Sequence, residues 1–263
     1  MRLDRALIAD LRVVAHSRPL LLFGAIEIAA GVVFVLRRGS DMVSTVLLIW
    51  LGMLVLAFFA WWAGRHRLAH PEPDAVPGAA ARATFALIGV VGMVIWSFGL
   101  LGPLGFVLLM CGMGGWIWSA VRTDGLGDGV RGLVARLTRD PRPFIPLLLL
   151  IAVPRLVVGG PAFIVGAVVA LPSGITQQLL YLIGLFAPLE AIRGRTAAAA
   201  VVAALLFGLI HVPIVLDANQ GDVISAFANA VLFQASIGLI ACLAFVRHRA
   251  AVPIGVAHAL AIG

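Results

Sequence analysis

Lysine is absent from this 263-residue chain, and all 19 of its basic residues are arginine. Charge of either sign is scarce: 12% of residues are charged against 62% hydrophobic, too little polar surface to cover a water-soluble globule. The two cysteines, Cys111 and Cys242, stand far apart in apolar runs without Cys-x-x-Cys spacing. That excludes a disulfide framework or a thiolate metal site and leaves two small buried hydrophobes. No cleavable leader is expected, since residues 1–18 are charged and amphipathic with no apolar core. No internal repeat aligns, which weighs against a transporter built from inverted halves.

Long uncharged apolar runs fill the sequence instead, at 20–36, 43–63, 84–101, 103–121, 144–170, 173–189, 196–215 and 223–246, followed by a short tail at 250–263. They are too long for alternating barrel strands. The expectation is an all-α polytopic transmembrane helical bundle of about eight spans plus a short C-terminal helix. Gly102-Pro103-Leu104-Gly105 divides the run 84–121, and Pro154 and Pro161 are expected to kink or break 144–170. With the N-terminus cytoplasmic, sixteen arginines fall on the inner segments 1–19, 64–83, 122–143, 190–195 and 247–249, and only Arg37 and Arg38 fall outside. That is the positive-inside pattern, so a multi-pass integral cell membrane protein with its N-terminus inside is expected. The same placement accounts for the net charge of +7, and no nucleic-acid partner is implied.

Residues 1–83 read as an N-terminal part: an interfacial helix with Leu3, Leu7, Leu11 and Val14 opposite Arg2, Arg5 and Arg12, then two spans and a Pro- and Ala-rich linker at 66–83. Residues 84–263 read as the core. In its loop 122–143, Val130, Leu133, Val134 and Leu137 lie opposite Arg131, Arg136 and Arg139, the pattern of a second interfacial helix. Gly127-Asp128-Gly129-Val130-Arg131-Gly132 matches G-x-G-x-x-G in form, but no strand precedes it, so it is loop chemistry.

Polar residues inside spans are more informative, because a charged side chain there costs roughly 2.5–3.5 kcal/mol and turns toward protein or water. Glu27 and Arg155 lie within spans, where each pairs with the other or with backbone carbonyls. Gln177, Gln178, His211 and His258 form the main constellation. If a helix begins at residue 173 at the outer face, Gln177 lies about 6 Å below it at 1.5 Å per residue. Taken singly, such residues hold membrane helices together by hydrogen bonding.

From about Leu171 to the C-terminus, a third of the chain, the sequence resembles the CAAX proteases and bacteriocin-processing enzymes, the CPBP or Abi family. Phe207 and His211, in ALLFGLIHVP, match the family's Phe-x-x-x-His motif, and RHRAAVPIGVAHAL places its last histidine at His258. Four positions depart from the pattern. Gln177 and Gln178 stand where the family has paired glutamates, with Leu182 in place of the following arginine, and Ile262 replaces the polar residue four after the last histidine. The resemblance implies an intramembrane endopeptidase fold in which His211 helps activate water and His258 stabilises the oxyanion.

A glutamine amide does not accept a proton at working pH, and losing a general base costs on the order of 10²–10⁴-fold in rate. The preferred reading is therefore a family member impaired by Gln177 and Gln178. It would keep a polar cavity for a membrane peptide, lipid or protein partner in an immunity or scaffold-like role. An active, divergent intramembrane endopeptidase using His211 and His258 stays open beside it, as does a carboxylate lent by Glu27. A solute or proton pathway lined by Glu27, Arg155 and the histidines ranks third. No cofactor or metal is expected, since two histidines without carboxylates make a poor site. The lipid bilayer is the surrounding partner, and the sequence leaves the oligomeric state open.

Overall fold

A computed structural model describes residues 16–65, 76–101, 103–125, 127, 141–193 and 195–262. The interfacial helices expected at 1–16 and around 130–139, residues 66–75 of the linker, and all but Gly127 of the glycine-rich loop fall outside the described residues, His16 apart. Everything regular among the described residues is helical. Six helical stretches are long and apolar enough to cross a membrane, and Met42–Phe58 and Ala251–Ala261 are shorter apolar helices. The protein is an all-α, multi-pass integral membrane protein.

The chain divides into two compact units that interleave in sequence, one formed by the described residues up to Leu51 with Arg195–Leu239, the other by Gly52–Gly194 with Ile240–Gly263.

In the first unit, α1 (Arg18–Arg38) buries Phe23, Glu27, Ala30, Gly31 and Phe34, a stripe at helical spacing. Leu21, Leu22, Ile28, Val32 and Leu36 on its other sides stay exposed, as lipid-facing positions do. Ala30 and Phe34 pack with Val46 of α2 (Met42–Arg65) and with Ala228 and Leu232. Phe23 packs with Val201 and Ala204 of α7 (Thr196–Leu216) and with Ala235. The last helix of this unit begins as α8 (Val223–Asn229), widens into a π turn at Ala230–Ala235 and continues as α9 (Ser236–His248). Asp222 caps it by accepting from Ile224 N at 3.1 Å and from Ser225 Oγ at 2.7 Å, and Arg37 pairs with the same carboxylate at 3.0 Å. The Ser225 hydroxyl, with the guanidinium beside it, holds this carboxyl below the usual carboxylate range.

In the second unit, α3 (Ala79–Ser97) and α4 (Leu104–Asp124) form a hairpin with glycine on both sides of the seam. A Cβ on Gly92 would strike the backbone of Leu108 and Leu109, and one on Gly112 the backbone of Gly89. Helix α3 begins at Ala79, inside the stretch read as linker. Its first turn is alanine-rich, and Arg82 is buried there by an ion pair to Asp124 at 2.7 Å and a hydrogen bond to Thr123 at 2.7 Å.

One boundary differs from the sequence expectation. Helix α5 (Ile145–Leu179) does not stop at 171–172; it runs through Pro172, passes into a π turn at Leu180–Phe186 and continues as α6 (Ala187–Arg193). Its single non-helical residue is Gly160, at φ 56° and ψ −146°. Proline disfavours the helical region in the residue before it, and only glycine takes up that backbone freely, so the break falls at Gly160-Pro161. Helix α10 (Ala251–Ile262) packs along α5.

Glu190 of α6 and Arg249, in the turn between α9 and α10, form an ion pair at 2.7 Å with side chains 2% and 1% exposed. Taking away one partner strands a buried charge. Arg249→Met is therefore expected to cost about 3–5 kcal/mol, and Arg249→Met with Glu190→Leu distinctly less. Denaturant unfolding of the purified full chain in detergent measures both, and equal losses would contradict the pairing.

Candidate functional site

Small residues bring α10 against α5. A Cβ on Gly174 would lie 2.7 Å from Ala259 N, and one on Gly255 2.6 Å from the Cα of Ile175. At such separation short polar side chains meet across the seam. His258, 5% exposed, lies with its Nε2 3.1 Å from Gln177 Oε1. The amide nitrogen of Gln177 donates to Ser173 Oγ at 3.0 Å, one turn earlier on the same face. An amide oxygen only accepts, so His258 donates through Nε2. Gln178 is fully buried, and neither its Nε2 nor its Oε1 has a hydrogen-bond partner among the described residues. The two glutamines thus differ: Gln177 is committed to an imidazole and Gln178 to no polar group.

Gln177 lies further along its helix than expected. Because α5 is helical from Pro161 onward, the residue lies 16 positions, about 24 Å at 1.5 Å per residue, beyond the break. The estimate of about 6 Å assumed a helix start at 173 that does not exist.

His211 belongs to the other unit and is 8% exposed on α7. Its Nδ1 lies 2.6 Å from Phe207 O, and its ring is tilted against the Phe207 ring with centroids 4.5 Å apart. The spacing of four in Phe-x-x-x-His explains both contacts, since residues i and i+4 lie one above the other. A carbonyl only accepts, so Nδ1 carries the proton and Nε2 presents a lone pair. Within its own unit no carboxylate comes within hydrogen-bonding distance of His211 among the described residues.

Of the two pairings open to Arg155, the backbone carbonyl is the one seen: Nη1 donates to Ala261 O at 3.0 Å, and the guanidinium lies 5.6 Å from the Phe163 ring. Glu27 is buried on α1 and faces Ser236 and Trp50. Ser173 was missed although its spacing of four from Gln177 was legible. Ser236 and Trp50 carried no signal, being a serine and a tryptophan in apolar spans. Leu182, where an arginine was the comparison, is fully buried in the π turn beside Tyr181, whose hydroxyl lies 3.0 Å from Cys242 Sγ. Among the described residues no group of three or more His, Cys, Asp or Glu could hold a metal ion.

The seam can be tested by substitution. Gly174→Ala must push against Ala259, and overpacking of this kind costs about 1–3 kcal/mol. Gly184→Ala meets nothing within 4 Å and should leave stability nearly unchanged. Thermal unfolding of the two variants in one detergent distinguishes them, and equal melting points would refute the close approach.

Residues 159–261 match a protein-family model described as Rce1-like, type II CAAX prenyl endopeptidase. No curated protein and no solved structure matches the chain.

Proposed function

We propose, on the similarity of residues 159–261 to the Rce1-like CAAX prenyl endopeptidase model, that the chain is a CAAX-type intramembrane endopeptidase homologue that binds a membrane peptide, lipid or protein partner and is impaired in cutting it. The observation that carries the reading is the group on His258: an amide oxygen at 3.1 Å, where a proton acceptor would have to be a carboxylate. Gln177 keeps the length and hydrogen-bonding reach of a glutamate and lacks its charge. The amide of Gln178 adds support. Leaving buried polar groups unmet costs about 1–3 kcal/mol, which a bound polar partner offsets and a helix kept for packing alone has no reason to bear.

A second reading draws on a separate observation. The Phe207 carbonyl takes up the Nδ1 proton of His211 in a hydrogen bond and leaves Nε2 as the nitrogen with a lone pair, the form in which an imidazole acts as a base. On this reading the protein is an active, divergent endopeptidase with His211 as its sole base.

The full chain reconstituted in liposomes with a prenylated CAAX-type peptide separates the two. Binding is measured by photo-crosslinking and cleavage by mass spectrometry. The first reading expects crosslinking by the wild type, no more product than His211→Ala releases, and a gain on the order of 10²-fold from Gln177→Glu with Gln178→Glu. Product from the wild type that His211→Ala abolishes would favour the second reading and sink the first.

The arginine distribution supports a cytoplasmic N-terminus, which places residues 216–222, between α7 and α8, outside the cell. A cysteine at Gln220, which is exposed, is expected to react with a membrane-impermeant maleimide added to intact cells. Labelling only after lysis would reverse the orientation.

A further inference from the structure

Helix α1 carries one carboxyl between its terminal arginines, Glu27, nine residues after Arg18 and ten before Arg37, or about 13–15 Å from either along the axis. The side chain is 8% exposed. On one side of it the stripe of α1 packs Phe23 against Val201, Ala204 and Ala235, and on the other it packs Ala30 and Phe34 against Val46, Ala228 and Leu232. Between these two apolar clusters the carboxyl faces Ser236 of α9 and Trp50 of α2. Both Glu27 oxygens and Trp50 Nε1 are closed off from solvent, and none has a hydrogen-bond partner among the described residues.

Among the described residues of the unit, no counter-charge is paired with this group. Residues 42–51 of α2 contain no titratable side chain, and neither do residues 223–239 across α8, the π turn and the start of α9. Helix α7 contributes one, His211, whose Nδ1 is engaged by Phe207 O. Arg37, at the far end of α1, is paired with Asp222. An ionised carboxylate without a cation is costly in such surroundings and sheds its charge by taking up a proton.

We propose that Glu27 is a proton-binding site: it carries the neutral carboxylic acid when α1 is packed, and with the Ser236 hydroxyl and the Trp50 indole N–H it forms a polar knot among α1, α2 and α9. As a neutral acid, Glu27 offers one donor and one acceptor, complementary to a hydroxyl and an indole N–H. Ionised, it would have to find water or leave the packed face of α1. This site does not rest on the endopeptidase-family reading, whose main residues are Gln177, Gln178, His211 and His258.

Infrared difference spectroscopy of the full chain in lipid, wild type minus Glu27→Gln, reads the protonation state directly. The expected result at neutral pH is the carbonyl band of a protonated carboxylic acid, present in the wild type and lost in the variant. The ionised-carboxylate bands in its place would overturn the proposal. A chemical probe gives a second readout on the wild type alone, so it holds even if the variant misfolds. An apolar carbodiimide reacts with a protonated acid: the acid proton moves to a carbodiimide nitrogen and the carboxyl oxygen bonds to the central carbon. The resulting O-acylisourea rearranges to an N-acylurea that retains the whole mass of the reagent. Peptide mapping should place that added mass on Glu27, with labelling falling as pH is raised. Labelling of Glu27 that does not change with pH would count against a titrating proton.

Discussion

The approach of α10 to α5 is the constraint on which the candidate chemistry depends. Gly174 and Gly255 leave no room for a Cβ on either side of the seam, so backbone meets backbone with little between. In lipid there is no hydrophobic drive to press helices together, and contact area and interhelical hydrogen bonds have to do so. Small residues supply the first and let side chains as short as glutamine and histidine supply the second. A larger residue at Gly174 would separate the helices and part Gln177 from His258 together.

Polar groups elsewhere in the spans are met mostly by backbone close at hand. His211 uses the carbonyl four residues before it, Asn219 donates to Val215 O, and Thr123 donates to Ser119 O. Arg155 reaches a carbonyl near the C-terminal end of α10, where helix carbonyls lack intrahelical partners. Each of these groups reaches a backbone carbonyl, the inexpensive solution where water is excluded. Against this background Glu27 and Gln178 stand out, because neither borrows from its own helix.

Much of the bundle was legible because apolar runs and helices coincide where charges or turns bound them. The run at 20–36 became Arg18–Arg38, that at 196–215 became Thr196–Leu216, and that at 223–246 lies within Val223–His248. The misplaced break near residue 171 has a simple cause. Pro154 and Pro161 were weighed as equivalent interruptions and the runs were divided at 171–172, yet Pro161 follows two glycines, whereas Pro154 follows alanine and valine and Pro172 follows alanine and leucine. Proline alone bends a membrane helix without ending it, and proline preceded by a residue free to leave the helical region breaks it. The Gln177–His258 contact was not readable in the same way, since 81 residues separate the pair and the register of two helices across a seam leaves no periodic trace. Ser236 and Trp50 beside Glu27 escaped notice for the same reason.

The two histidines, one in each unit, are held in opposite hydrogen-bonding roles. A backbone carbonyl fixes the proton of His211 on Nδ1 and leaves Nε2 as an acceptor, while Gln177 fixes the proton of His258 on Nε2 and makes that nitrogen a donor. Each unit thus holds its imidazole in one hydrogen-bonding role, an acceptor at His211 Nε2 and a donor at His258 Nε2. A carboxylate in place of Gln177 would hold the same hydrogen bond and add a negative charge beside His258. The amide preserves the shape of that arrangement and removes its driving charge. Hydrogen-bond geometry and packing survive the exchange of a carboxylate for an amide, whereas general-base chemistry depends on a charge that an amide lacks.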